Sequence, residues 1–147
     1  MNAYRKAAVM AASLALACSA PGMAQNSPFV PGDYVEMSSI TIDDGHGLDY
    51  ATFLASTWRA RQEFAKKQGW LDSYEVLANV NARNGEPDLI LMTRFKSMPD
   101  SVEQMRRDDA ARAYNKQTDT QMQAASGDRA KYRHLSGTQL WQELKFK

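Results

Sequence analysis

The sequence predicts an α+β domain in the order βαββαβ, a four-stranded antiparallel sheet with its helices on one face. Three observations predict it. Leu48 to Trp70 carries apolar residues at helical spacing. Segments of strand-like alternation precede it and follow it, and a last one closes the chain. Two strand-helix-strand units joined by right-handed crossovers then place the first and third strands at the centre of the sheet.

The first 24 residues stand apart from that domain. Arg5 and Lys6 precede the apolar run Ala7 to Cys18, and Ser19-Ala20-Pro21-Gly22-Met23-Ala24 follows. A positive start, a short apolar run and a small-residue end make a secretory signal peptide, with cleavage expected after Ala24. The run is too short to span a bilayer in a mature protein. A rival reading anchors the chain as a lipoprotein through Cys18. Cleavage leaves 123 residues, enough for one domain with a sizeable core. The same step removes the single cysteine and leaves 16 basic against 17 acidic residues, a net charge near −1. No basic excess points to nucleic acid, and no later run is long enough to cross a membrane. Without cysteine the mature chain has neither a disulfide nor a thiolate site, so an oxidising periplasm is tolerated.

Residues 25–33, with Pro28 and Pro31, read as a flexible lead-in to a domain spanning 34–147. Tyr34 to Ile42 is rich in β-branched residues and reads as a strand. Its alternation changes phase near Ser38-Ser39, so a bulge is expected there. Asp43-Asp44-Gly45 and Gly47 then punctuate the approach to the long helix. On that helix Phe53, Leu54, Trp58, Phe64 and Ala65 form one face, and Thr57 and Ala60 fill in beside them. Asp49 suits the helix dipole, Glu63 and Lys67 form a favourable pair, and Gly69 is a natural stop.

Leu71 to Ala82 alternates, with Tyr74, Val76, Ala78 and Val80 on one face. Arg83-Asn84-Gly85-Glu86-Pro87 is a turn, and Leu89 to Met92 is nearly continuous in apolar character, as in a central strand. The two strands are expected to form a hairpin. Ser97-Met98-Pro99-Asp100 opens a second helical region that runs to about Ala125, with a break expected near Arg107 to Asp109. Tyr132 to Phe146 is the last strand. Thr138, Leu140, Gln142, Leu144 and Phe146 lie on one face, with Gln139, Trp141 and Glu143 on the other, and Gly137 marks a bulge or bend.

Such a sheet leaves one face without helices. That face would carry Leu77 with Ile90 and Met92, or their opposite-face neighbours. The simplest cover is a second copy, packed sheet to sheet about a two-fold axis, so a homodimer is expected.

The chain resembles the dimeric α+β-barrel group of ferredoxin-like proteins, among them small NIPSNAP-like and antibiotic-biosynthesis-monooxygenase-like domains. The resemblance rests on Trp58-Arg59 in the long helix and on Gly69-Trp70-Leu71-Asp72-Ser73-Tyr74-Glu75. It also rests on Leu89-Ile90-Leu91-Met92-Thr93 before Met98-Pro99-Asp100, and it spans roughly Tyr34 to Phe146. It implies the fold and the homodimer. Its function ranges from haem-degrading and quinone-forming monooxygenases to proteins without known activity. The Asn, Trp and His that act together in haem-degrading members have no full counterpart, since Tyr34 to Ile42 contains no Asn.

The residues themselves offer two histidines and an aromatic set. His46 lies between two glycines before the long helix, and His134 stands at the mouth of the last strand. Each has an ordinary reading, as a solvated loop histidine or as a hydrogen-bonded one. The functional reading makes His134 a general base, since an imidazole titrates near neutral pH. Two histidines without paired spacing make no metal site, and no dinucleotide or phosphate-loop pattern calls for a cofactor. Asp43-Asp44 and Asp108-Asp109 diverge along the chain and form no acid-base dyad. Arg106, Arg107 and Arg112 read as solvated surface, while Arg129, Lys131 and Arg133 are expected to pair with acids. The aromatic set is either a core or a pocket. As a pocket between helix and sheet it would hold a small flat apolar ligand, with Trp58, Arg61, Tyr74, Tyr132, Trp141 and His46 as binding residues. Three functions follow from these readings: a small-molecule binding module or enzyme, a cofactor-independent monooxygenase acting on an aromatic or haem-like substrate, and a non-catalytic periplasmic structural protein.

Overall fold

A computed structural model describes residues 27–147; the expected signal peptide and the Cys18 alternative lie outside the described residues. Strand β1 (Phe29–Ile42) leads into helix α1, which consists of an α-helical Gly47–Phe53, a π-helical Leu54–Trp58 and an α-helical Arg59–Lys67. Strands β2 (Ser73–Ala78) and β3 (Leu89–Phe95) follow, then helices α2 (Ser101–Asn115) and α3 (Asp119–Arg129), and strand β4 (Arg133–Phe146). The four strands form one antiparallel sheet in the order β2-β3-β1-β4, a ferredoxin-like arrangement with β1 and β3 central.

The long helix ends where Gly69 takes a φ of 72°, a conformation that suits glycine and closes the last turn. A chain reversal at Arg83–Glu86, closed by a 3.0 Å bond from the Glu86 amide to the Arg83 carbonyl, makes the β2–β3 hairpin. Asp88 then ties this hairpin to β1. Its carboxylate accepts from the Ile42 amide at 2.8 Å, and its own amide donates to the Ile40 carbonyl at 2.9 Å.

Pairing fixes which residues share a face. Ile40 pairs with Leu89 and is buried against the helices, so Ser38, Glu36 and Tyr34 point the same way with their partners Leu91, Thr93 and Phe95. Val35, Met37 and Ser39 point to the other side, with Arg94, Met92 and Ile90, and across β4 and β2 with Trp141, Gln139 and Leu77. The buried centre is Ile40, Tyr50 and Leu54, with Ile42, Phe53, Trp58, Leu89, Leu91 and Tyr132 packed around it; Leu71 is buried further along.

Three expectations move. First, β1 begins at Phe29, inside the segment read as a lead-in, because Phe29 to Pro31 pair with Leu144 to Phe146 of β4. Pro31 is accommodated since β1 has only one neighbour there, with a register shift immediately after it. Second, the bulge near Ser39 is carried by β4: Ser39 faces Gly137 while Ile40 faces Leu135, leaving Ser136 extra. Third, the break in the second helical region lies at Lys116 to Thr118. Arg107 to Asp109 run uninterrupted in α2. Lys116 adopts a φ of 52°, and Thr118 with Gln121 forms a reciprocal capping box that starts α3. The cap of α2 is Asp100 rather than Ser97, its carboxylate accepting from the Glu103 amide at 2.8 Å.

Candidate functional site

Packing of α1 against α2 and the sheet leaves a cleft. One cavity of about 310 Å³ lies between the C-terminal half of α1 and α2, walled by Arg61, Phe64, Ala111 and Tyr114. A second of similar volume opens toward the sheet at Glu36, Thr93, Phe95 and Met98. The two share Gln62, Trp70, Gln104 and Arg107 as lining residues, so they lie side by side, each of the size that small ligands occupy.

Each wall has a local cause. Gly69 ends α1 and turns the chain so that Trp70 lies edge-on to Phe64, with ring centroids 5.4 Å apart. Phe64 stacks on Tyr114 of α2 at 4.2 Å, which pins the two helices together. Tyr114 donates to the Ala60 carbonyl at 3.3 Å. Arg61 spans the same gap, its Nε 3.2 Å from Asn115 Oδ1 and its Nη2 3.3 Å from Gln117 Oε1. Arg107 sits over the Trp70 ring at 5.5 Å and is fastened by Glu103 at 2.7 Å. Hydrogen bonds from Arg106 and then Arg107 hold the Glu103 carboxyl at about 2, well below its ordinary range. The Trp70 indole N–H is buried without a partner among the described residues, a donor left beside the cleft. The α1–α2 cavity has mainly apolar and aromatic walls with Arg61 and Arg107 among them, and the cavity toward the sheet mixes Glu36, Gln62, Thr93, Gln104 and Arg107 with Phe95 and Met98.

A third cavity, of about 420 Å³, lies on the other side of α1, bounded by Ile42, Ala51, Leu54, Ala55, Val76 and Leu89. Its lining is almost entirely apolar.

No protein-family model matches this chain, and comparison with curated proteins and with solved structures finds no match.

The residues expected at the site fall into separate groups. Trp58 and Tyr74 meet edge to face at 5.4 Å. The Tyr74 hydroxyl donates to Glu63 at 2.5 Å, which holds the Glu63 carboxyl below its ordinary value and the Tyr74 hydroxyl above. Arg61 lines the cleft directly. His46 and Tyr132 stack at 4.9 Å at the start of α1, with His46 Nδ1 2.9 Å from Asp49. His134 pairs with Thr41 at the end of the sheet, half-exposed, with Nε2 2.9 Å from Asp43. Trp141 lies on the helix-free face, paired with Val35 and 57% exposed. The fold therefore brings together two pairs from the set, Trp58 with Tyr74 and His46 with Tyr132, and it holds Trp141 apart from both.

Sequence reasoning missed Trp70, Gln62, Gln104, Arg107 and Tyr114 as cleft residues. The position of Trp70 directly after the helix stop was a usable signal. Arg107 read as solvated surface, yet its side chain is only 21% exposed. Charge spacing along a helix does not reveal which side meets a neighbour. Arg129 and Arg133, expected to pair with acids, have no carboxylate partner among the described residues, whereas Lys131 between them pairs with Asp128 at 2.8 Å.

Proposed function

We propose that this chain is a periplasmic homodimer of the dimeric α+β-barrel kind that binds a small, flat, apolar or aromatic molecule in the cleft between α1, α2 and the sheet. The observation that carries the reading is the pair of adjacent cavities whose common wall is Trp70 beneath Arg107, one of them bounded by the Phe64–Tyr114 stack. Aromatic walls receive a flat ligand by area, and the few polar groups at the throat orient it. The positive start, apolar run and small-residue end of the first 24 residues support export. The apolar helix-free sheet face supports the dimer. Among the described residues no helix is long and apolar enough to cross a membrane.

Binding takes precedence over catalysis in this reading. His134, the candidate general base, bonds to Asp43 at the end of the sheet and lines neither cleft cavity. A substrate of His134 would have to reach that end.

The test uses N-phenyl-1-naphthylamine, a neutral aromatic probe whose fluorescence rises in apolar surroundings. Wild type should give a saturable rise. Ala111→Trp, which fills the cavity between α1 and α2 without deleting a packed side chain, should reduce it about tenfold with an unchanged circular dichroism spectrum. Saturable binding that survives Ala111→Trp would remove the site, and no saturable binding by wild type would remove the function.

A further inference from the structure

Arg129 ends α3 and Arg133 begins β4, and both turn back onto the N-terminal part of α1. The Arg129 guanidinium lies over the Phe53 ring at 4.1 Å, and that of Arg133 lies 6.0 Å from the Tyr50 ring. Tyr50 and Phe53 are themselves stacked at 5.7 Å, so two cations rest on one aromatic floor. The Nε of each arginine is buried and has no hydrogen-bond partner among the described residues.

Five other arginines among the described residues are matched. Arg83, Arg94, Arg106, Arg107 and Arg112 each have a carboxylate in ion-pair range. Asp43 is engaged with His134 and Asp49 with His46. The carbonyl end of α3 offsets part of the Arg129 charge but leaves its Nε–H pointing to no acceptor. Burial pushes the Arg129 guanidinium below its ordinary value, and the charges of Arg133 and Arg61 push it the same way. Grouped cations with buried, unmatched donors are costly unless an anion completes them.

We propose that Arg129 and Arg133 form a binding site for the oxyanion of a small molecule, a carboxylate or a phosphate. The planar forks offer paired N–H donors of the kind that such groups accept, and the aromatic floor holds the guanidinium planes in place. The site stands independently of the cleft reading, since its floor is Tyr50 and Phe53 rather than Trp70 and Phe64.

The arginine Nε–H signals of the ¹⁵N-labelled full chain report directly on these donors. Titration with inorganic phosphate and, separately, with benzoate should shift the Arg129 and Arg133 signals saturably. The stronger of the two identifies the source of the oxyanion. Neutral benzamide should leave both signals in place. Arg129→Gln and Arg133→Gln should each weaken binding about tenfold. Lys131→Gln, which removes a neighbouring charge already paired with Asp128, should leave it unchanged. Signals that stay still with both anions would overturn the proposal, and this readout on wild type decides even if a glutamine variant fails to fold. Equal weakening by Lys131→Gln would overturn it too, because diffuse positive charge would then suffice. Failure here with intact binding of the neutral probe would leave the cleft reading standing.

Discussion

Glu103 accepts from Arg106 Nε and Arg107 Nε, each at 2.7 Å, and Arg107 in turn covers Trp70 in the cleft. One carboxylate thus sets the position of a cleft cation. Its folded value of about 2 lies below the ordinary 4.5, so its contribution to stability is complete above about pH 4.5 and is lost as the pH falls toward 2. Glu103→Gln should lower the melting temperature modestly near neutral pH, since the group is close to solvent. The two proteins should converge in melting temperature near pH 2. A constant offset across the acid range would mean that the glutamine acts through packing. The same variant should loosen Arg107 and change Trp70 fluorescence, which links ionisation to the shape of the cleft.

At the scale of elements, the helical region after β3 is two helices because of Lys116. A non-glycine side chain at a φ of 52° is strained, and the reciprocal Thr118–Gln121 cap restarts the chain in a new direction. Lys116→Gly should therefore stabilise the protein by about 0.5–1 kcal/mol in a denaturant titration, because glycine adopts that conformation freely. A loss of stability would show that Lys116 makes contacts that outweigh its backbone strain. The π-helical turn at Leu54–Trp58 acts on α1 in a comparable way. A wide turn changes the angular position of everything after it, so Leu54 reaches the core and Trp58 still reaches Tyr74, while Thr57 and Ala60 point to solvent. Helical periodicity taken at a constant 3.6 residues per turn had put those two beside the apolar stripe.

For the whole molecule, full burial is sparse among the described residues, and those of the helix-free face are half-buried or exposed. Ile40, Tyr50, Leu54 and Leu71 are the buried hydrophobic residues among those described, while Leu77 and Trp141 are 42% and 57% exposed. In the proposed dimer the sheet face bearing Val35, Met37, Ile90, Met92, Leu77 and Trp141 would be covered by its own copy about a two-fold axis. Wild type should sediment at about twice the chain mass and melt at a temperature that rises with protein concentration. Ile90→Asp, central to the face and remote from the α1–α2 cavity, should give monomers whose melting temperature no longer depends on concentration. A dimer that persists in Ile90→Asp would place the contact elsewhere.

The sequence by itself determined the order of elements, the hairpin, the central positions of β1 and β3 and the faces of β4. The central positions follow from the crossover rule, and the rest from spacing within one segment: alternation in Tyr74 to Ala78, the turn at Asn84-Gly85, the apolar run at Leu89 to Met92. Of the candidate site it named Arg61, which the fold places between α1 and α2. Only the tertiary structure decided that Trp70 and Arg107 share a wall, that Trp141 lies across the sheet from Trp58, and that Arg129 and Arg133 converge on Tyr50 and Phe53. The reason is geometric. A periodic pattern fixes a side chain relative to its own helix or strand, but the rotation and offset of one element against the next come from packing across loops, and that information is spread over residues far apart in the chain.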